Sequence, residues 1–204
     1  MNLLKLLTGG RSERRRELES LLASQFARLR EEHVKKAIQK GDPNILVPMI
    51  RDSFAAVYSG LDDSTKAQVG TLIRDNWDLL EELFGTPDRL VAQLAKTHPW
   101  IRKYEKSPES RRMLEATLRY VWSLLTVAAY NCVCAICGRR VDPLDFIRFT
   151  APRLPPERKY THHACYAKLY ARERLGAEVR FEKGRAVIEK DGKTFSLDPS
   201  IDYG

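Results

Sequence analysis

The chain has 204 residues, a formal net charge of +8 and a pI near 9.4, with 43% hydrophobic and 30% charged residues. That length and mixture exclude a disordered tail and a disulfide-stapled miniprotein, and they suffice for a buried core. The excess of basic residues, of which 22 of 35 are arginine, points toward a polyanionic partner, because the guanidinium fork suits phosphate.

The charge is uneven along the chain. Residues 1–40 carry a net +5, residues 41–100 a net −4, and residues 132–175 a net +5. The basic ends of this pattern, not the acidic middle, are the candidates for contact with phosphate. "MNLLKLL" has too short an apolar run for a secretory signal and no small-residue cleavage site behind it. The expectation is therefore a cytoplasmic, intracellular protein whose four cysteines serve as thiols or metal ligands.

Helix boundaries are marked plainly. Asp42-Pro43, Thr86-Pro87 and Ser107-Pro108 each pair a capping side chain with a proline at the first helical position. Gly41, Gly60 and Gly85 stand where helices should stop in the left-handed conformation. The spacing predicts helices over 12–40, 43–59, 63–84, 87–97 and 108–131, with a short apolar helix at 2–7. In the first, Leu18, Leu22, Phe26 and Leu29 form an apolar stripe beside the basic arm that includes Arg14, Arg15 and Arg16. Such stripes are read as core. Asp62-Asp63 and Glu81-Glu82 are read as a helix cap and a solvated face. His33 and His98 are read as surface residues.

Residues 120–138 contain nineteen positions without a formal charge, "YVWSLLTVAAYNCVCAICG". The length approaches a membrane span, but Asn131, three cysteines and Gly138 argue against one. The first part reads as the end of a buried bundle helix. The last part reads as half of a metal site, because Cys134 and Cys137 make "CAICG" and His162 and Cys165 make "HHACY" twenty-four residues on. The pattern C-x2-C-x24-H-x2-C supplies four nitrogen and sulfur donors, enough to close a tetrahedral, structural zinc site. His163 is the rival to His162, with a spacing less suited to one helical face. Cys132 fits neither two-residue gap and is read as core.

After residue 138, "VDPLDFIRFT" alternates as a short hairpin or strand, and "THHACYAKLYARERL" is helical over about 162–175 with Thr161 as N-cap. The segment "EVRFEKGRAVIEKDGKTFSL" reads as three strands turning at Lys183-Gly184 and Asp191-Gly192. In "CAICGRR", "DFIRFT" and "HHACYAKLYARERL", in that order, the chain resembles a treble-clef zinc finger over about residues 132–175. The resemblance implies a fold stapled by zinc, and it implies no single function.

The expected fold is mainly α. A helical bundle with a basic N-terminal arm spans 1–131, and a treble-clef-like zinc module with a small antiparallel β-meander spans 132–204, an α+β arrangement. Arg139, Arg140, Arg148, Arg153, Arg158, Lys159, Lys168, Arg172 and Arg174 lie in or beside the zinc region, interleaved with tyrosines. Together with Arg14, Arg15 and Arg16 they are the expected contacts for DNA or RNA. The expected function is a non-enzymatic, zinc-stabilised nucleic-acid-binding protein with contacts mainly to the backbone. The first alternative is a structural or adaptor subunit of a larger assembly, such as a nucleoprotein coat or a transcription, ribosome or defence complex, with a protein partner or self-association. The second is a nuclease built on a treble clef, which lacks the extra histidine or asparagine it would need between Cys137 and His162.

Overall fold

The structure is a computed structural model, and it describes residues 9–148, 160–182 and 185–197. The chain divides into two compact units, Met1–Ala129 and Tyr130–Gly204.

The first unit is a bundle of seven helices among the described residues: α1 (Arg11–Gln25), α2 (Glu31–Lys40), α3 (Val47–Tyr58), α4 (Asp63–Asp75), α5 (Trp77–Phe84), α6 (Pro87–Thr97) and α7 (Pro108–Ala129). The caps are those the sequence marks. Asp62 accepts from the Thr65 N–H at 2.7 Å, Thr86 from Arg89 at 3.3 Å, and Ser107 from Ser110 at 3.1 Å. Each satisfies an N–H that the helix itself leaves open. Asp42 caps in the same way, through Asn44, but it opens a single 3-10 turn (Pro43–Ile45) ahead of α3.

Helix α7 is the axis of the bundle and touches α2, α3, α4 and α6. Thirteen of its 22 residues are buried, from Ser110 to Ala129. This is the physical basis of the uncharged run: neighbours cover it on several sides, so no face needs polar side chains. Among the described residues no helix is long and apolar enough to cross a membrane. At its C-terminal end α7 is approached closely by α4. A Cβ on Gly70 would stand 2.8 Å from the Ala128 carbonyl oxygen, and the Arg74 guanidinium donates to the Ala129 carbonyl. A cation on these last carbonyls also suits the negative end of the helix dipole.

Two long helices expected from the sequence are each broken. The 12–40 helix stops at Gln25 and restarts at Glu31. Phe26 and Leu29 occupy the connection and are almost wholly buried, so a turn folded onto the core yields the same apolar spacing as a continuous helix. The 63–84 helix breaks at Asn76, which leaves the helical region (φ −120, ψ 22). Its side-chain amide donates to the Leu72 carbonyl at 2.8 Å, the local competition that makes asparagine a helix interrupter. The break re-aims α5, and Trp77 and Phe84 both pack on Trp122 of α7 with ring centroids 4.8 and 4.9 Å apart.

Three smaller expectations are corrected. Of Gly41, Gly60 and Gly85, only Gly41 is left-handed, at φ 62. Gly85 is right-handed, and it is the space that excludes a side chain: a Cβ would meet the Glu81 carbonyl oxygen at 2.5 Å. His98 is buried rather than a surface residue. It ends α6 with its Nδ1 2.8 Å from the Thr97 hydroxyl and its ring edge-on to Trp100, and burial lowers its pKa, with Arg30 adding to the effect. The 2–7 helix lies outside the described residues.

The second unit begins with the knuckle around Cys134 and continues through a short antiparallel pair, β1 (Ile147–Arg148) with β2 (Tyr160–Thr161). Helix α8 (His163–Tyr170) comes next, prolonged by a π-type turn over Ala171–Leu175. The described part of the chain closes with the three-stranded meander β3 (Val179–Glu182), β4 (Arg185–Lys190) and β5 (Lys193–Leu197), in the order β3-β4-β5. Asp191 and Gly192 turn between β4 and β5 with φ of 51 and 71, the two positive values a tight hairpin turn requires. The Lys183-Gly184 turn lies outside the described residues. The mainly helical fold with a small C-terminal antiparallel sheet is thus as the sequence implies.

Candidate metal centre

The site is built from two chain segments brought together by β2. On the first, the Cys134 N–H donates to the Arg139 carbonyl at 2.8 Å, and the Gly138 N–H donates back to the Cys134 carbonyl at 2.9 Å. Gly138 has φ 72. That conformation is nearly free of cost for glycine, and it folds Cys134 and Cys137 toward one point. The Ala135 N–H donates to the Tyr160 carbonyl at 3.0 Å, which ties the knuckle to β2.

On the second segment, β2 runs directly into α8. Thr161 is therefore a strand residue paired with Ile147 and not the helix cap; His162 holds that position, with extended backbone and no side-chain cap bond. Its ring is committed elsewhere. Cys165, three residues on, lies on the same face of the first turn.

The donor atoms of Cys134, Cys137, His162 and Cys165 all lie within 4.8 Å of one another. His162 Nδ1 is 3.5 Å from Cys137 Sγ and 3.8 Å from Cys165 Sγ. Bonds of ~2.0–2.3 Å to a tetrahedral ion put neighbouring donors roughly 3.5–3.8 Å apart, so these separations suit one ion at the centre. The group is therefore a Cys3His set that can hold one metal ion. Cys134 is buried, His162 and Cys165 are half-buried, and Cys137 is exposed.

The surroundings orient the donors. His162 Nε2 lies 2.8 Å from the Arg140 carbonyl oxygen. A carbonyl only accepts, so Nε2 carries the proton and Nδ1 turns its lone pair to the sulfurs, the arrangement that a metal-bound imidazole needs. The Cys137 thiol is lowered to about 6, first by the backbone N–H of Arg139 and then by its side chain. Cys165 is pushed the other way, to about 12, by burial and by the neighbouring sulfurs. Burial works against a charge on His162, but the Arg140 carbonyl and the sulfurs of Cys134 and Cys137 outweigh it and raise its pKa. A thiolate and an imidazole with a free lone pair are the forms that ligate a metal, so metal uptake at this group is linked to proton release.

His163, the rival ligand, is buried at 3% exposure and takes no part in the group. Cys132 is wholly buried and also outside it. The roles of the Arg139 N–H and the Arg140 carbonyl were invisible in the sequence, because backbone groups carry no residue signature.

The predicted phosphate contacts fare differently from one another. Arg140, Lys168, Arg172 and Arg174 are exposed, Arg172 with Glu173 at 3.4 Å. Arg139 is exposed, and it is the chief cause of the lowered Cys137 pKa. Arg148 pairs through its backbone with Tyr160, and Arg153, Arg158 and Lys159 lie outside the described residues. In the N-terminal arm, Arg16 is exposed, Arg14 is half-buried, and Arg15 is ion-paired to Glu19 at 3.4 Å and Glu82 at 3.6 Å. This segment is helical, as expected, and forms α1 with Leu18 in the core. The carboxylate pairs also have structural partners: Asp62 caps α4, Glu81 accepts from the Trp77 indole at 3.1 Å, and Glu82 takes Arg11 and Arg15. No family model, no curated protein and no solved structure matches the chain.

Proposed function

We propose that this chain is a zinc-stabilised, non-enzymatic nucleic-acid-binding protein whose second unit is a treble-clef-type module. The observation that carries the reading is the Cys3His group itself: four nitrogen and sulfur donors within 4.8 Å of one another, enough to close a tetrahedral site with no position left over to activate water or bind a substrate. A site closed in this way stabilises a fold, and zinc, with no geometric demand beyond four donors of this kind, suits it best. The choice of nucleic acid as partner is supported by the net charge of +8 and by the solvent-accessible Arg140, Lys168, Arg172 and Arg174 around the same module. The reading is of contacts mainly to the phosphate backbone, which carry affinity without sequence preference.

The test is a fluorescence-anisotropy titration of the zinc-loaded protein against labelled DNA and RNA over a range of salt. The expected result is binding that weakens steeply as salt rises, with the slope set by the number of phosphates contacted. Absence of binding to either polymer at low salt overturns the nucleic-acid reading. Absence of stoichiometric zinc by ICP-MS overturns the metal reading.

A further inference from the structure

Helices α1 and α6 do not close the space between them. A cavity of about 280 Å³ lies there, just under the range of ordinary ligand pockets, about 300–1,000 Å³. Its apolar wall is made by Ala23 of α1 and Phe26 of the turn after it, with Leu90 and Leu94 of α6. The three larger side chains are buried, so the cavity is narrow and reaches them at its base. Phe26 and Leu94 also border a second, smaller cavity of about 20 Å³ toward α7, so the wall is not packed tight behind them. Water in a space lined this way finds few partners, and apolar atoms that displace it gain by doing so.

The mouth of the cavity is cationic. Arg16 of α1 and Lys96 of α6 border it, and both are exposed. Glu19, the one carboxylate in the lining, is already shared by Lys96 at 3.3 Å and Arg15 at 3.4 Å. Arg16 makes no ion pair among the described residues. An apolar hollow beneath an uncommitted guanidinium is complementary to a ligand with an anionic head and an apolar body, because the planar fork takes a carboxylate by two hydrogen bonds. We propose that this cavity binds a small amphipathic carboxylate, with its head on Arg16 and its body against Phe26, Leu90 and Leu94. At roughly 30 Å³ for each non-hydrogen atom, the space holds an apolar chain of about eight carbons while the carboxylate stays at the mouth. The site lies wholly in the helical unit and rests on neither the metal reading nor the nucleic-acid reading.

The experiment titrates sodium octanoate into the full-length protein and follows the backbone amides by two-dimensional NMR. The expected result is a set of saturable shifts centred on Ala23 and Leu94. 1-Octanol, which keeps the chain and lacks the charge, is expected to bind the same place more weakly. A charged pair at a partly exposed mouth contributes roughly three- to tenfold in affinity. R16A is expected to raise the Kd for octanoate by about that factor and to leave the Kd for 1-octanol unchanged. A23L, which fills the cavity, is expected to abolish the saturable shifts from both. Octanoate that gives no saturable shifts at α1 and α6 overturns the proposal. So does an octanoate Kd in R16A equal to that of wild type, and so does wild-type octanoate binding by A23L. Should A23L not accumulate as folded protein, R16A decides alone, because the side chain it removes is exposed.

Discussion

His162 and Arg140 are joined by a single hydrogen bond, Nε2–H to the carbonyl oxygen at 2.8 Å, and that bond decides which nitrogen faces the three sulfurs. It couples the two halves of the site, because Arg140 belongs to the knuckle and pairs with Val133 there, whereas His162 begins α8. The expected outcome in a long-range nitrogen–proton NMR correlation of the zinc-loaded protein is a protonated Nε2 and a metal-bound Nδ1 on His162. The opposite tautomer contradicts the geometry. No side-chain substitution at Arg140 removes the acceptor, so R140A is expected to keep the tautomer.

Metal removal should act on one unit and spare the other. The described part of residues 130–175 has two two-residue strands and one eight-residue helix, too little regular structure to fold on its own packing. Zinc in small modules contributes on the order of 10 kcal/mol, comparable to the stability of a whole domain. The helical unit has its own core around α7. Hydrogen exchange detected by mass spectrometry, with and without a strong chelator, is expected to show protection lost over the knuckle and α8 and kept in α3 to α7. Protection of Cys134–Tyr170 that survives complete zinc removal contradicts this.

Substituting Gly70 sets two effects against each other. Alanine in a helix interior is ordinarily favoured over glycine by about 1 kcal/mol. Here the added Cβ would stand 2.8 Å from the Ala128 carbonyl, and the atom in the way is backbone at the end of the central helix, which cannot step aside. Overpacking of this kind costs roughly 1–3 kcal/mol, so the clash wins. G70A is expected to lower the urea midpoint of the helical unit. A midpoint equal to or above that of wild type would mean that α4 and α7 separate without cost.

The parts of the structure that the sequence disclosed are those fixed by local chemistry. An Asp, Thr or Ser before proline starts a helical turn whatever surrounds it, as Asp42, Thr86 and Ser107 do. Asp191-Gly192 turns a hairpin by its own φ preference. The C-x2-C and H-x2-C pairs announce their ligand atoms because thiols at that spacing can share an ion. The parts that stayed hidden depend on distant partners. The breaks at Phe26–Arg30 and Asn76 preserve the apolar spacing of a continuous helix, and only the packing of Trp77 and Phe84 on Trp122 shows why the chain turns. Thr161 looked like a cap because it is a threonine before a helix, but the strand pairing with Ile147 claims it. The ion pair of Arg15 with Glu82 of α5 likewise joins residues far apart in the chain.

Glu31 makes the helical unit sensitive to acid. The Tyr104 hydroxyl donates to the Glu31 carboxylate at 2.9 Å, and Lys35 and Lys103 lie 3.5 and 3.4 Å from the same carboxylate. The Tyr104 bond is the chief reason that the Glu31 pKa falls below its ordinary 4.5, with the two lysines assisting against partial burial. The pKa of Tyr104 moves up, through burial first and then through the same bond. For a carboxylate with a lowered folded value, the unfolded chain binds the proton first as pH falls. The stability contributed by Glu31 is thus fully present above 4.5 and is lost as pH drops through the lower folded value. E31Q is expected to be less stable than wild type at neutral pH, and the gap between their urea midpoints should close on acidification below 4.5. Y104F removes the leading cause, so the Glu31 carboxyl in that variant should titrate closer to 4.5 by NMR. A wild-type Glu31 that titrates at or above 4.5, or an E31Q gap that widens with acid, contradicts the assignment.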